Sequence, residues 1–531
     1  MIPFNESGTF RPVAEASELR RLAVRGAAAT VSAAAIGLAV QIGSTVILAR
    51  LLTPADLGIV AMVTTFSLLL MSFGNNGFDE VVIQRPELDR YQASNLFWIN
   101  CAGGLILAIG FAAAGSLLAL FYRNPLVTRV AIAVSPAIFL NAVSVIHLAL
   151  LKRAMRFAAV ATNDMLGRAT YTLVGIVLAL RGYGYWSLVA AIVVQALATT
   201  LRAWWLCRWI PSLPRRGVGT RAMLRFAVKV YGRFSGNYFT KNFDNILVGW
   251  RFNASALGFY KKAYDLFALS ASQLTAPLHN VALAALSRLQ HDPPRFKRYL
   301  INSLGVIAFV GMAVGADLTL VGKDLVRLVL GSKWSESGRI FALFGPGIGI
   351  MLLYSTVGWI HLSIGKPGRW LRWTLIESLF TALLFVVALP WGPAGIAVAW
   401  SVSYWSLAIP AFWYAGRPIG FSVSSLITAV WKYLIAALFA GFACAVIMRG
   451  VPISTVANTA GEALELVVVK SLLFTIFYLA AVILLHQGFD PLIQVAGLLR
   501  EILPGRRNTE RSAVLTVASG ADGNATPAAK A

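Results

Sequence analysis

Apolar stretches close to 20 residues long recur from one end of this chain to the other, and they restrict the fold more than any other feature. A helix rises 1.5 Å per residue, so each stretch is long enough to cross about 30 Å of hydrocarbon. Hydrocarbon offers the backbone no hydrogen-bond partner, which leaves helices and closed barrels as the only spanning structures. The stretches are too long for barrel strands, and they often lack the strict alternation such strands need. The chain therefore reads as all-α, a polytopic membrane protein with about fourteen transmembrane helices. The spans fall near residues 30–50, 57–77, 95–121, 128–151, 163–180, 184–207, 226–250, 256–285, 300–321, 339–363, 371–389, 394–415, 427–448 and 464–486. Hydrophobic residues make up 58% of the chain and charged ones 13%, too little charge to cover a soluble surface of this size.

The net charge of +24 would suit nucleic acid, but the basic residues sit in short loops between apolar runs, so no nucleic-acid partner is expected. With a cytoplasmic N-terminus, inside segments hold roughly 28 Lys and Arg against roughly 10 outside. One loop disagrees: 322–339 carries Lys323, Arg327, Lys333 and Arg339 on the outside, as an interfacial helix or a misplaced span would. Residues 1–26 show no apolar signal region, so the first span acts as its own insertion signal. Fifteen Trp and fifteen Tyr suit two interfacial belts. Cys101, Cys207 and Cys444 have the spacing of neither a disulfide framework nor a metal site. No cofactor is expected.

Traces of a repeat divide the chain. Ile47-Leu48 leads through a turn with Pro54 to Leu57-Gly58; about 200 residues later Ile246-Leu247 leads through a turn with Asn253 to Leu257-Gly258. Ile146-His147-Leu148 recurs as Ile360-His361-Leu362, and Gly182 and Gly184 resemble Gly392 and Gly395. An even number of spans separates the matches, so the halves point the same way, related by an axis along the membrane normal. The expected organisation is a cytoplasmic segment 1–26, an N-lobe of six helices at 27–220, a C-lobe of six at 221–420, two extra helices at 421–490, and a cytoplasmic, largely disordered tail at 491–531.

Ionisable side chains in hydrocarbon cost a few kcal/mol or more and face a cavity or a partner. Spans seven and eight are dense with them. Arg225, Lys229, Arg233, Asn237, Lys241 and Asn245 fall at steps of four, about 400° of helix, and form one slowly winding stripe. Asp244 lies beside it, and Lys261, Lys262 and Asp265 open the next span. The stripe predicts a cationic cavity wall that holds an anion, with Arg233, Lys241, Asn237, Asp244, Lys229, Lys262, Asp265 and, on the first span, Gln41 as its candidate residues. The competing reading is that Arg225, Lys229, Lys261 and Lys262 snorkel to headgroups, and that Lys241 and Asp244 pair across one turn. Asp244, Asp265, Asp317 and Glu377 are candidates to bind a coupling cation or proton; Asp317 and Glu377 equally fit satisfied buried acids. His147 and His361 read as packing or interfacial residues. Nucleotide-binding, metalloprotease and nucleophile-elbow motifs are absent from the sequence, so energy must come from gradients or from substrate supply.

Several segments carry a family resemblance: "ILARLLTPADLGIVAM" at 47–62, "VIQRPEL" at 82–88, "LLKRAMRF" at 150–157, "NFDNILVGWRFNASALGFYKKAYDL" at 242–266 and "LSRLQHD" at 286–292. Over roughly residues 25–490 the chain resembles the Wzx-type oligosaccharide flippases of the polysaccharide transporter family. These belong to the superfamily that also holds multidrug extruders and lipid II flippases. Asn242, Asp244, Leu257, Gly258, Tyr260 and Ala263 match the family pattern. The resemblance implies two pseudo-symmetric lobes around a cavity lined by spans one, two, seven and eight, alternating access, and a bacterial inner-membrane location. It implies a polyprenyl-diphosphate-linked oligosaccharide as cargo, moved outward for exopolysaccharide, capsule or O-antigen assembly. Expected partners are this lipid-linked oligosaccharide, membrane lipids, and polysaccharide polymerase and export machinery. The alternative is a cation-coupled small-molecule extruder, which a wall rich in Arg and Lys suits poorly. An enzyme acting on lipid-linked glycans would need larger outward loops than this chain has.

Overall fold

The computed structural model describes residues 1, 3–6, 8–10, 16–85, 87–450 and 459–493, so the expected tail lies, beyond 493, outside the described residues. Sixteen α-helices follow one another there: α1 Ala16–Leu51, α2 Pro54–Asn75, α3 Phe78–Gln84, α4 Arg90–Ala113, α5 Gly115–Tyr122, α6 Leu126–Arg153, α7 Phe157–Leu180, α8 Tyr185–Cys207, α9 Thr220–Arg251, α10 Ala254–Arg288, α11 Pro293–Leu330, α12 Ser335–Ser363, α13 Pro367–Ala388, α14 Gly392–Gly416, α15 Val423–Gly450 and α16 Ala460–His486. Extended pairing among the described residues is limited to isolated bridges, Phe4 with Phe10 and Thr9 with Asp89. The expected all-α class holds. Helix α1 begins at Ala16, inside the segment 1–26 expected to be a cytoplasmic N-terminal segment.

Ten helical segments among the described residues are long and apolar enough to cross a membrane, and one of these, Pro367–Ile419, contains both α13 and α14. Helices α7, α9 and α10 match them in length, at 24, 32 and 35 residues, but not in apolarity. Each of the three contributes polar side chains to an internal cavity.

The turns into α2 and α10 are built alike. Thr53 caps α2 by accepting from Asp56 N (3.2 Å), and Asn253 caps α10 by accepting from Ala256 N (2.8 Å). A side-chain oxygen at this position satisfies an amide that the helix itself leaves unpaired. Each helix then presents a glycine to the first residue of the other. A Cβ on Gly58 would overlap the Ala254 carbonyl, and one on Gly258 would overlap that of Pro54. Only a side chain of hydrogen lets the two backbones approach this closely, as small residues do between membrane helices. The contact is reciprocal, and its partners are the weakly repeated positions 58 and 258.

Helix α6 packs against α2, α4 and α8, and α12 against α10, α11 and α14, while α15 and α16 lie on α11. His147 on α6 and His361 on α12 are both fully buried. His147 stacks on Trp204 at 4.4 Å and its Nε2 lies 3.1 Å from the Trp209 carbonyl; His361 packs beside Tyr414. Both serve packing, as read from the sequence.

The anomalous basic loop 322–339 is the end of α11, which runs on past the span read at 300–321, a 3₁₀ turn at Ser332–Trp334 and the start of α12. Its charges are used locally. Arg50 at the end of α1 donates to the Leu328 carbonyl (2.8 Å), Lys333 to the Arg50 carbonyl (3.4 Å), and buried Trp334 Nε1 to the Ala49 carbonyl (2.7 Å). Cations at the C-terminal ends of helices meet exposed carbonyls and the negative end of the helix dipole.

Candidate functional site

A helix turns 100° per residue, so a helix at an internal boundary can show two chemistries. Helix α10 does so. Lys261, Lys262 and Asp265 face a cavity of about 710 Å³ shared with α2, α6, α7 and α8. Tyr264, Phe267 and Ala268 face a second cavity, of about 490 Å³, shared with α9, α12, α13 and α14. Helix α9 is divided in the same way. Tyr231 and Tyr238 donate to carbonyls of α2, Leu69 at 3.0 Å and Thr65 at 2.8 Å. Asn237, Thr240, Lys241 and Asp244, on the side turned away from that rail, line the second cavity.

The first cavity is ionic and amidic. Lys152 pairs with Asp79 at 2.6 Å, and Lys261 pairs with Asp265 one turn on. Arg168 on α7 donates to Gln41 of α1 (2.9 Å). Lys262 has no ion-pair or hydrogen-bond partner among the described residues, and Arg168 no ion pair. Ser67 and Asn163 are each 1% exposed, and among the described residues Ser67 Oγ and both side-chain polar atoms of Asn163 have no hydrogen-bond partner.

The second cavity is aromatic. Eight rings line it, against one, Tyr171, in the first. Lys241 and Glu377 stand among them. Lys241 does not pair with Asp244, the simple alternative read from the sequence. Asp244 is 2% exposed and accepts from Tyr260 OH (2.7 Å) and from Asn245 N (2.8 Å). That places the family-pattern residues Asp244 and Tyr260 in a buried hydrogen bond joining α9 to α10.

The residues expected to form one wall are thus distributed. Asn237, Lys241, Asp244 and Glu377 line the aromatic cavity, Lys262 and Asp265 the ionic one, and Gln41 holds Arg168 at its edge. Lys229 and Arg233 lie exposed on the α9 stripe and in neither cavity. Asp317 lies elsewhere, on α11, where it accepts from Ser471 Oγ of α16 (3.0 Å). Sequence reading missed Asn163, Asp164 and Arg168, which the structure places on α7 against the ionic cavity; they lie inside the span read at 163–180 but show no stripe like that of α9. It missed the aromatic wall by assigning Trp and Tyr to interfacial belts.

Long apolar helices around polar cavities, with every insufficiently apolar helix lining one of them, define a multi-pass membrane carrier. The family described as polysaccharide biosynthesis protein matches residues 47–339, more than half of the chain, and the chain belongs to that family. The succinoglycan biosynthesis transport protein ExoT of Rhizobium meliloti is 23% identical, over 63% of this chain and 68% of its own. The lipopolysaccharide biosynthesis protein WzxC of Escherichia coli is 21% identical, over 66% of this chain and 69% of its own. Among solved structures, the lipid II flippase MurJ in an inward closed conformation superposes with a TM-score of 0.65 at 15% identity, covering 84% of this chain and 97% of its own, which establishes a common fold.

Proposed function

We propose that this protein is a flippase that carries a polyprenyl-diphosphate-linked oligosaccharide across the bacterial inner membrane by alternating access. The observation that carries this reading is the pair of lysines without a direct ion-pair or hydrogen-bond partner among the described residues, Lys262 and Lys241, one in each cavity of a polysaccharide-biosynthesis family member. A lipid diphosphate holds about two negative charges and loses hydration as it enters a low-dielectric slab. Lys152 and Lys261 already have carboxylate partners and offer little to an incoming anion. Lys262 and Lys241 have no such ion pair among the described residues.

In this reading all fourteen long helices cross the bilayer, both termini are cytoplasmic, and the lobes 27–220 and 221–420 rock about the Gly58–Gly258 contact. Helices α15 and α16 are the added pair. The reciprocal placement of those two glycines supports a lobe-exchanging axis. Polymerase and export machinery take the product on the far side. A cation extruder is the second reading, favoured by rings and Glu377 sharing one cavity, a setting that attracts cations. Lys241 in that cavity opposes it.

Deletion of the gene is the test. The lipid-linked oligosaccharide is expected to accumulate on the cytoplasmic leaflet, polymer output to stop, and the intact gene to restore both. Unchanged polymer and no accumulated intermediate would refute the reading.

A further inference from the structure

We propose that the aromatic cavity is a saccharide subsite, spatially separate from the place where the diphosphate is held. The proposal rests on the flippase reading and deepens it, by dividing the substrate between two cavities.

The rings are arranged in two tiers. Phe267, Tyr354, Trp373 and Trp400 are 2%, 8%, 7% and 7% exposed and form the floor. Tyr264, Trp370 and Tyr404 are half-buried, and Tyr264 and Tyr404 pack against it. Tyr404 lies 4.6 Å from Trp400 and 5.2 Å from Tyr354 between ring centroids, and Tyr264 lies 5.9 Å from Phe267. Trp373 Nε1 donates to Tyr354 OH at 2.6 Å, which orients the floor. The Trp370 indole fills the space over Gly358, 3.3 Å from where a Cβ would sit.

A pyranose has an apolar face of axial C–H groups, slightly positive, and an equatorial rim of hydroxyls. The π-face of an aromatic ring is negative, so a sugar lies flat on it. Rings already held by neighbours lose little freedom when a sugar arrives. The hydroxyl rim points sideways and needs donors and acceptors beside the rings, and Asn237, Thr240, Thr374, Glu377 and Ser378, which line the same cavity, supply both. A volume of about 490 Å³ suits a short oligosaccharide. The ionic cavity lacks such a platform, having Tyr171 alone. The sugar therefore goes to the α13–α14 side and the diphosphate to Lys262 on the α7–α8 side.

The probe is the oligosaccharide freed by mild acid from the lipid-linked intermediate of the deletion strain. It is titrated calorimetrically into the full-length protein in nanodiscs, beside inorganic pyrophosphate. Trp370→Leu and Tyr404→Leu are expected to weaken oligosaccharide binding by about tenfold or more. Trp370→Phe and Tyr404→Phe, which keep a ring, should retain it. All four should bind pyrophosphate like the wild type, which also reports correct folding, whereas Lys262→Met should lose pyrophosphate and keep the sugar. Equal oligosaccharide affinity in the two Leu variants, or loss of sugar binding in Lys262→Met alone, overturns the subsite. So does preferential binding of tetraphenylphosphonium in the aromatic cavity. If the intermediate accumulates but its freed oligosaccharide does not bind, the subsite falls and the flippase stands; if none accumulates, both fall.

Discussion

On one side of α10 a cavity holds Lys262, Arg168, Asp164 and unpartnered Asn163 with a single ring; on the other a somewhat smaller cavity holds eight rings with one lysine and one glutamate. The same helix supplies both walls, because residues 261, 262 and 265 fall on one face and 264, 267 and 268 on the other. An amphiphilic substrate with a charged node and a neutral glycan can be met piece by piece this way. A single site would have to desolvate phosphate beside apolar rings, which costs several kcal/mol per unpaired charge.

The largest expected effect is at the seam between the cavities. Gly258→Leu puts a side chain where the Pro54 carbonyl stands, so α2 and α10 cannot close on each other. Polymer export should fall to background while the protein remains in the membrane, read by immunoblot of the membrane fraction. Gly110→Leu is the control, since no neighbouring atom lies within 4 Å of its Cβ position, and it should export normally. Normal export from Gly258→Leu would show that the two sides do not depend on this contact.

A smaller effect separates the two lysines. Lys262→Met should reduce export about tenfold, with Lys262→Arg retaining most of it, because the ionic cavity then has no free lysine. Lys241→Met should reduce it less, since rings carry most of the binding on that side. The reverse order of severity would exchange the roles assigned to the cavities.

How much of this was legible in advance depended on whether a signal was periodic. The long helices followed from apolar run length. The α9 stripe followed from steps of four, and Arg225, Lys229, Arg233, Asn237 and Lys241 are all exposed, ending where Asn245 is buried. Gly58 and Gly258 carried a faint repeat whose meaning, mutual backbone contact, needed three dimensions. The stripe itself could not say that α9 winds from one neighbour to another, so a single wall was expected where the residues divide. Trp370 and Trp373, in the first two turns of α13, gave no signal, because an aromatic residue near a helix end looks the same whether it faces headgroups or a cavity; Trp400, well inside α14, sits in an apolar run where a ring facing the cavity and one facing lipid read alike.

The smallest expected effect tests whether the polar wall of the ionic cavity exists for a ligand. Asn163 is 1% exposed with neither amide atom partnered among the described residues, and Ser67 Oγ beside the same cavity is in the same state. A buried polar group without a partner costs about 1–3 kcal/mol, and replacing it by an apolar side chain of similar size removes that cost. Asn163→Leu should therefore be the more stable protein, by about 1 kcal/mol, seen as a higher melting temperature in detergent, yet the poorer exporter. A residue that serves packing would give the opposite pair of results, a lower melting temperature with export unchanged, and the ionic cavity would then lose its claim to hold the diphosphate through anything but Lys262.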